Sequence, residues 1–383
     1  MNTDSAIAAA VEALPLGPLR APLVGAGAHV VGGWVRELVA GRDPGGDLDI
    51  AVEGELEALL DDLDPDLEVD EVEVHERHRR FGSATVAVGD LRIDLTRTRR
   101  EVYVRPGALP EVEPATIAED LRRRDFTVNA LAVPLSAAGE LLDPFDGVTD
   151  LQAGTLRALH DGSFVDDPTR AIRAARYAAR LGLEPDPGTR ALLGATELAA
   201  VSADRRDAEL ARLAAEPAAP RGFALLAEWS VLDVGADALA LIAAIDALAA
   251  AGPWAADPSL RSRAILLVAQ GSEAAAAALK LARAQPERPS EAVRLAAGHQ
   301  PSELLIAAAA GAEWVDDYLE RWRSTSLEIN GEDLIAAGVP EGPAVGAALR
   351  GALERKLDGG LGCGREAELE LALALARGAP GSI

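Results

Sequence analysis

VVGGWVREL, from Val30 to Leu38, and GGDLDIAVEG, from Gly45 to Gly54, are the stretches that decide how this chain folds. An apolar run, Ala28 to Val31, meets the glycine pair Gly32 and Gly33 and is followed by a helical pattern from Trp34, which reads as strand, turn and helix. A glycine pair at such a turn lets the backbone approach a phosphate closely and offers N–H groups at the helix start. The alternation from Asp47 to Val52 predicts a second strand. Asp47 and Asp49 stand two apart on it, so both carboxylates project from one face and can share divalent cations.

Working outward, the helix-period segment Glu55 to Leu63 precedes strand patterns at Glu68 to Val74, Ser83 to Val88 and Leu91 to Thr96. These predict a small mixed sheet with helices on one face, an α+β unit. Asp94, in LRIDLTRTR, sits mid-strand among apolar neighbours, where an inward acid is costly unless it binds something. It is the third carboxylate candidate for phosphoryl transfer, with an outward acid paired to an arginine as the alternative. The polar, Pro-rich stretch Arg99 to Pro114 predicts a flexible loop ahead of a helix from Ile117 to Arg124. Beyond Pro168 the pattern is helical throughout, with short Pro and Gly punctuation.

Composition bounds the rest. The 383 residues call for more than one compact unit, and 49% hydrophobic residues with only 3% aromatics suit a core of packed Ala, Leu and Val helices. The lone Cys363 excludes an internal disulfide, no Cys and His cluster has zinc spacing, and no export or membrane-spanning pattern is present, which predicts a cytoplasmic protein. His29, His75, His78 and His160 form no catalytic set. A net charge of −25 argues against coating nucleic acid by long-range attraction. Eleven arginines and no lysine nevertheless lie between Arg77 and Arg124, and the arginine fork suits phosphates and bases.

Two further segments carry chemistry. EDLRRRDFTVNALA, from Glu119, places Arg123, Arg124 and Asp125 at a helix end, where they could grip a ribose and triphosphate. After a hinge-like segment, LLDPFDGVTDLQAGTLRAL, comes SFVDDPTRAIRAARYAARLGL, from Ser163, with Asp167, Arg170, Arg173 and Arg176 at every third position. Such a stripe matches the length of a nucleoside triphosphate, and an Asp with an Arg can read the edge of a base.

In this order the segments resemble the class II tRNA nucleotidyltransferase and bacterial poly(A) polymerase family, from Val30 to Leu183 and again at LEINGEDLIAAGVPEGPAVGAALRGALERKLDGG, from Leu327. The resemblance implies a nucleotidyltransferase head at 1–150, then an all-α neck at 151–220, body at 221–323 and tRNA-binding tail at 324–383. It implies that Asp47 and Asp49 hold Mg2+ as catalytic carboxylates, with Asp94 remaining the candidate for the third. Gly32, Gly33, Arg36, Arg124, Asp125 and Asn129 would bind the nucleotide's phosphates and ribose. Asp167 and Arg170 would select CTP or ATP, Arg173 and Arg176 would support that pocket, and Arg99 to Pro114 would be the loop that switches between bases. Glu37 and Asp166 depart from the family pattern, which has Asp and Glu there. The implied activity is addition of C, C and A to the 3′ end of tRNA without a nucleic-acid template, with tRNA lying along the arginine-bearing head and neck. The same motifs serve CC addition, A addition or poly(A) tailing, and a silent RNA-binding relative is the non-enzymatic alternative.

Overall fold

The computed structural model of the protein describes residues 3–62, 72–78, 82–136, 140–362 and 364–378. Cys363, Leu63 and the first residues of the strand expected from Glu68 lie outside them. The chain divides into two compact units, Met1–Asp233 and Val234–Ile383. The head and neck expected from the sequence both fall inside the first unit.

The first unit opens with helices α1 (Thr3–Glu12) and α2 (Arg20–Gly25), strand β1 (Ala28–Val31), α3 (Gly33–Val39), β2 (Asp47–Val52) and α4 (Leu56–Asp62). Strands β3 (Val72–His78), β4 (Ser83–Val88) and β5 (Leu91–Arg97) follow, and β8 (Ala132–Pro134) completes a six-stranded sheet in the order β3-β4-β5-β2-β1-β8. Among the described residues its one parallel pair is β2 with β5, which sets Asp49 directly beside Asp94. The sheet is therefore mixed, as expected.

Strand parity explains which face carries chemistry. Leu48, Ile50, Val86, Ile93 and Leu95 point to one side and pack with Ile7, Leu19, Leu23, Val35 and Leu60 from the helices. Asp47, Asp49, Thr85 and Asp94 occupy the alternate positions and so lie on the opposite face. There a second, smaller apolar cluster of Val31, Ala51, Leu121, Ala130 and Ala132 covers part of the sheet, leaving the acids beside it open.

The stretch read as a flexible loop is an ordered hairpin instead. Strand β6 (Arg99–Val102) pairs antiparallel with β7 (Glu111–Pro114), Arg99 opposite Pro114. The prolines misled because Pro110 and Pro114 sit at the turn and at the last pair of a two-stranded ribbon, where a missing N–H costs little. Helix α5 (Ile117–Arg122) is fixed at its start by a capping box between Thr116 and Glu119 and stops two residues before the expected end.

Helices α6 (Gly147–Gln152), α7 (Ser163–Asp166), α8 (Thr169–Leu181), α9 (Pro187–Gly194), α10 (Ala203–Ala215) and α11 (Ala219–Glu228) finish the first unit, and the short strands β9 (Thr155–Leu156) and β10 (Glu184–Pro185) pair parallel. Ala171, Ile172, Ala174, Ala175 and Ala178 bury one side of α8, and small alanines let α10 and α11 pack closely. A β-carbon at Gly147 would lie 2.2 Å from the Thr127 carbonyl oxygen. Because backbone cannot swing aside, Gly147→Ala should cost at least about 1–3 kcal/mol. A urea titration checks this: the midpoint falls with little change in slope, whereas an unmoved midpoint would mean the strand-to-helix junction is slack.

The second unit is helical: α12 (Ala236–Ala249), α13 (Pro258–Ala269), α14 (Glu273–Ala282), α15 (Pro289–Ala296), α16 (Pro301–Ala309), α17 (Trp314–Asp317), α18 (Gly331–Ala336), α19 (Pro343–Leu357) and α20 (Arg365–Ala376). The LEINGEDL segment becomes the capped start of α18, with Asn330 and Asp333 forming the box over Leu334. Among the described residues no single helix is long and apolar enough to cross a membrane.

Candidate active site

A cleft of about 760 Å3 opens over the acidic face of the sheet, lined from β1 and β2, the hairpin, α5, the segment after it, α8 and α10. Its volume suits a small-molecule substrate. At the β1 to α3 turn, Gly32 takes φ +69° and ψ −130°. A side chain there would be strained and would press on Arg124 Nη1 at 3.2 Å and Asp49 Oδ2 at 3.4 Å, so this backbone stays bare at the cleft floor.

Asp49 and Asp94 line the cleft, and Asp94 accepts a 2.6 Å hydrogen bond from Thr85 Oγ1. Asp47 lies on the same face two residues away, exposed, outside the cleft lining. Partial withdrawal from water raises the Asp49 carboxyl pKa; Asp94 and Asp47 add to this, while Arg124 and Arg36 oppose it. Like charges held together on one face are unfavourable until a cation joins them. Among the described residues no group of three or more acids, histidines or cysteines forms a ready metal cage. Open carboxylate sites of this kind suit a hard cation that keeps waters and borrows oxygens from a bound phosphate.

Behind the floor runs a buried chain of charges. Arg36 pairs with Glu37 at 2.8 Å and donates to Asn129 Oδ1, whose amide donates to Asp125 Oδ1 at 2.8 Å. Asp125 Oδ2 then takes Arg173 at 2.6 Å. Burial alone would raise the Asp125 pKa, but Arg173 and Asn129 hold it down to about 2. Glu37, where a shorter acid is usual, is thus a buried anchor that also reaches Arg180 at 3.4 Å. Tyr177 lies beneath three guanidinium groups, with Arg176 at 4.8 Å, Arg36 at 5.1 Å and Arg173 at 5.4 Å from its ring centre. Asp120, fully buried, holds Arg123 at 2.7 Å and Arg124 at 3.0 Å. Arg36 and Arg124 line the cleft, and each has a buried Nε without a hydrogen-bond partner.

Thus Gly32, Gly33, Arg36, Asp49, Asp94, Arg124, Asp125, Asn129, Asp167, Arg170 and Arg173 converge on one cleft. Arg176 does not line it; it turns to Glu216 at 3.4 Å. Steps of three residues fall about 60° short of a full turn, so the stripe drifts about 120° between Arg170 and Arg176. Asp167 caps α8 rather than riding on it, accepting from Thr169 N at 3.1 Å and Thr169 Oγ1 at 2.7 Å. Arg170 is buried and donates to Ser163 Oγ at 2.9 Å and the Arg123 carbonyl at 2.7 Å.

Among the described residues, most arginines of the arginine-rich stretch are paired with acids. Arg77 pairs with Glu57 and Asp61, Arg97 with Glu55, Arg100 with Glu113, and Arg123 with Glu101 at 2.9 Å. Acids that composition showed only as a net total are spent locally on these arginines. Sequence reading missed the hairpin's Arg99, Glu101 and Tyr103 and the α10 residues Arg205, Glu209 and Arg212, all of which line the cleft. The α10 set stands at i, i+4 and i+7, one helix face, but nothing local marks that face as polar for a reason.

Three comparisons bear on this site. Residues 28–157 match the family model described as the poly A polymerase head domain. A CC-adding tRNA nucleotidyltransferase of Deinococcus radiodurans is 37% identical over 84% of this chain and 82% of its own, and a CCA-adding enzyme of Limosilactobacillus fermentum is 29% identical over 87% and 89%. Among solved structures, an apo CCA-adding enzyme superposes with a TM-score of 0.76 at 26% identity over 96% of this chain and 98% of that one. The Thermotoga maritima CCA-adding enzyme complexed with tRNA gives 0.70 at 25% identity over 96% and 98%. A mixed sheet bearing paired acids, an arginine-walled cleft and this near-full-length similarity together establish that the chain belongs to the tRNA nucleotidyltransferase and poly(A) polymerase family of enzymes.

Proposed function

We propose that the protein adds C, C and A, from CTP and ATP, to the 3′ end of tRNA without a nucleic-acid template. The observation that carries this reading is the single cleft in which Asp49 and Asp94 face Arg124, Arg173 and the Asp167 and Arg170 pair. Carboxylates alone would suit many hydrolases; carboxylates beside anion-seeking guanidiniums and an Asp and Arg able to read a base suit nucleotide transfer to a hydroxyl.

Asp47 and Asp49, with Asp94 as third carboxylate, would hold two magnesium ions. When bound, they supply activation of the attacking 3′-hydroxyl and neutralisation of the departing pyrophosphate. The raised Asp49 pKa and the open oxygen donors fit hard divalent cations. Gly32 and Gly33 leave the backbone bare at the cleft floor, and the Arg36 and Arg124 guanidiniums that line the cleft would meet the phosphates. Asp125 and Asn129 hold the floor beneath the ribose. Asp167 offers acceptor lone pairs to the exocyclic amine that cytosine and adenine share and that uracil and guanine replace with a carbonyl. The sequence-based division into head, neck, body and tail goes with this reading, the tail gripping tRNA.

Restricted CC addition is the second reading, favoured by the identity to the Deinococcus enzyme. Product length separates them. With magnesium, tRNA lacking its CCA end and CTP plus ATP, the expected product is CC followed by one A and then arrest. Arrest after CC with both nucleotides present establishes the restricted activity, and no extension at all removes the functional reading.

A further inference from the structure

Helix α10 belongs to none of the segments that carry the family resemblance, yet Arg205, Ala208, Glu209 and Arg212 make it one wall of the cleft. Arg205 joins two otherwise separate elements. Its Nη2 pairs with Asp167 Oδ2 at 3.0 Å, and its Nη1 donates to the Gly107 carbonyl, in the turn of the hairpin, at 3.0 Å. Resting on the reading of Asp167 as base selector, we infer that Arg205 is a positioning residue that sets discrimination for an amino-bearing base by holding Asp167 against the hairpin turn.

The geometry around Asp167 is a closed circuit. Its Oδ1 is held by the backbone and hydroxyl of Thr169. Its Oδ2 is held by Arg205, so the plane of the carboxylate is fixed from two sides and the remaining lone pairs keep one direction. The residues before it are held too: the Gly107 N–H donates to the Val165 and Asp166 carbonyls at 3.3 and 3.2 Å. The Gly107 position admits only glycine, because it has φ +67° and a β-carbon there would lie 2.3 Å from the Ala200 carbonyl oxygen. Arg205 reaches its two acceptors with two separate nitrogens of a planar fork; a lysine offers a single nitrogen on a shorter stem and cannot reproduce that geometry. Both partners are largely shielded, with 27% of the Arg205 side chain and 18% of that of Asp167 exposed. Released from Arg205, the carboxylate rotates about its last torsion and loses its preference for an amine over a carbonyl, while the triphosphate contacts, on other residues, are untouched.

The test uses the full-length protein, tRNA ending at the discriminator base for CTP against UTP, and tRNA ending in CC for ATP against GTP. Arg205→Gln is expected to narrow both kcat/KM ratios by about tenfold, the scale on which one misaligned hydrogen bond changes discrimination. Arg205→Lys, which keeps the charge but not the planar two-nitrogen fork, should give an intermediate ratio, and it carries the test if the glutamine variant melts early. Gly107→Ala, which displaces the other end of the link, should narrow the same ratios without removing any charge. Equal loss with all four nucleotides, or ratios within twofold of wild type, overturns the inference while leaving the functional reading standing. Wild-type protein that extends neither tRNA overturns the functional reading, and this inference falls with it.

Discussion

Asp49→Asn is expected to lower nucleotide transfer by at least about 10^3-fold, several kcal/mol of transition-state stabilisation, with tRNA affinity changed less than about twofold. Asp49 is the acid that lies both in the cleft and beside Asp94 on the neighbouring strand, so no other side chain can take its position between the strands. Stability should respond in the opposite sense. The folded-state pKa of Asp49 is raised, so its ionisation opposes folding: stability is lost as pH rises through its unfolded value toward the raised folded one. At neutral pH, in metal-free buffer, the asparagine variant should therefore melt at or above the wild-type temperature. Single-turnover transfer and thermal melting of one preparation check both halves. Transfer above a tenth of wild type, or early melting, would remove Asp49 from the reacting centre.

Asp125→Ala is expected to act mainly through stability. Asp125 is buried and satisfies Asn129 and Arg173, so truncation leaves a half-buried guanidinium and a buried amide without this acceptor. Breaking one side of such a pair costs about 3–5 kcal/mol. For a unit of this size that corresponds to a fall on the order of 10 °C in the melting of the first unit, Met1–Asp233. The pH dependence has a definite sign. The folded pKa is depressed to about 2, so the stabilisation is present above the ordinary carboxylate value and is lost as pH falls from there toward about 2. Acid titration of wild type and variant by tryptophan fluorescence and circular dichroism should show the difference between them shrinking across that window. A difference that stays constant down to pH 2 would mean that the ion pair contributes nothing in the folded state. Transfer would also fall in the variant, since Arg173 and Asn129 lose the group that orients them, but it should recover partly at low temperature where the fold is regained.

How much of this could be read from the chain depends on the range of the interaction that fixes each feature. The glycine pair, the two-residue spacing of Asp47 and Asp49, and the alternation of β2, β4 and β5 are local, and each gave an element close to the one observed. Ends were less legible: α5 stops early because Arg123 and Arg124 turn back to Asp120. The hairpin was hidden because its strands are short, polar and flanked by prolines, so no alternation of apolar residues announces it. Its order comes from contacts far along the chain, such as Glu101 with Arg123.

The sequence by itself determined the mixed α+β unit with its helical continuation, the face on which the acids lie, and most of the side chains that meet in the cleft. These follow from periods of two and near 3.6 and from the conformational freedom of glycine, which operate within a few residues. Only the tertiary structure decided that Asp94 stands beside Asp49, that Arg176 turns away to Glu216, that most of the clustered arginines are paired with acids, and that α10 walls the cleft. Each of those depends on a partner on another element of the fold, and spacing along a chain carries no record of which charges burial will bring together.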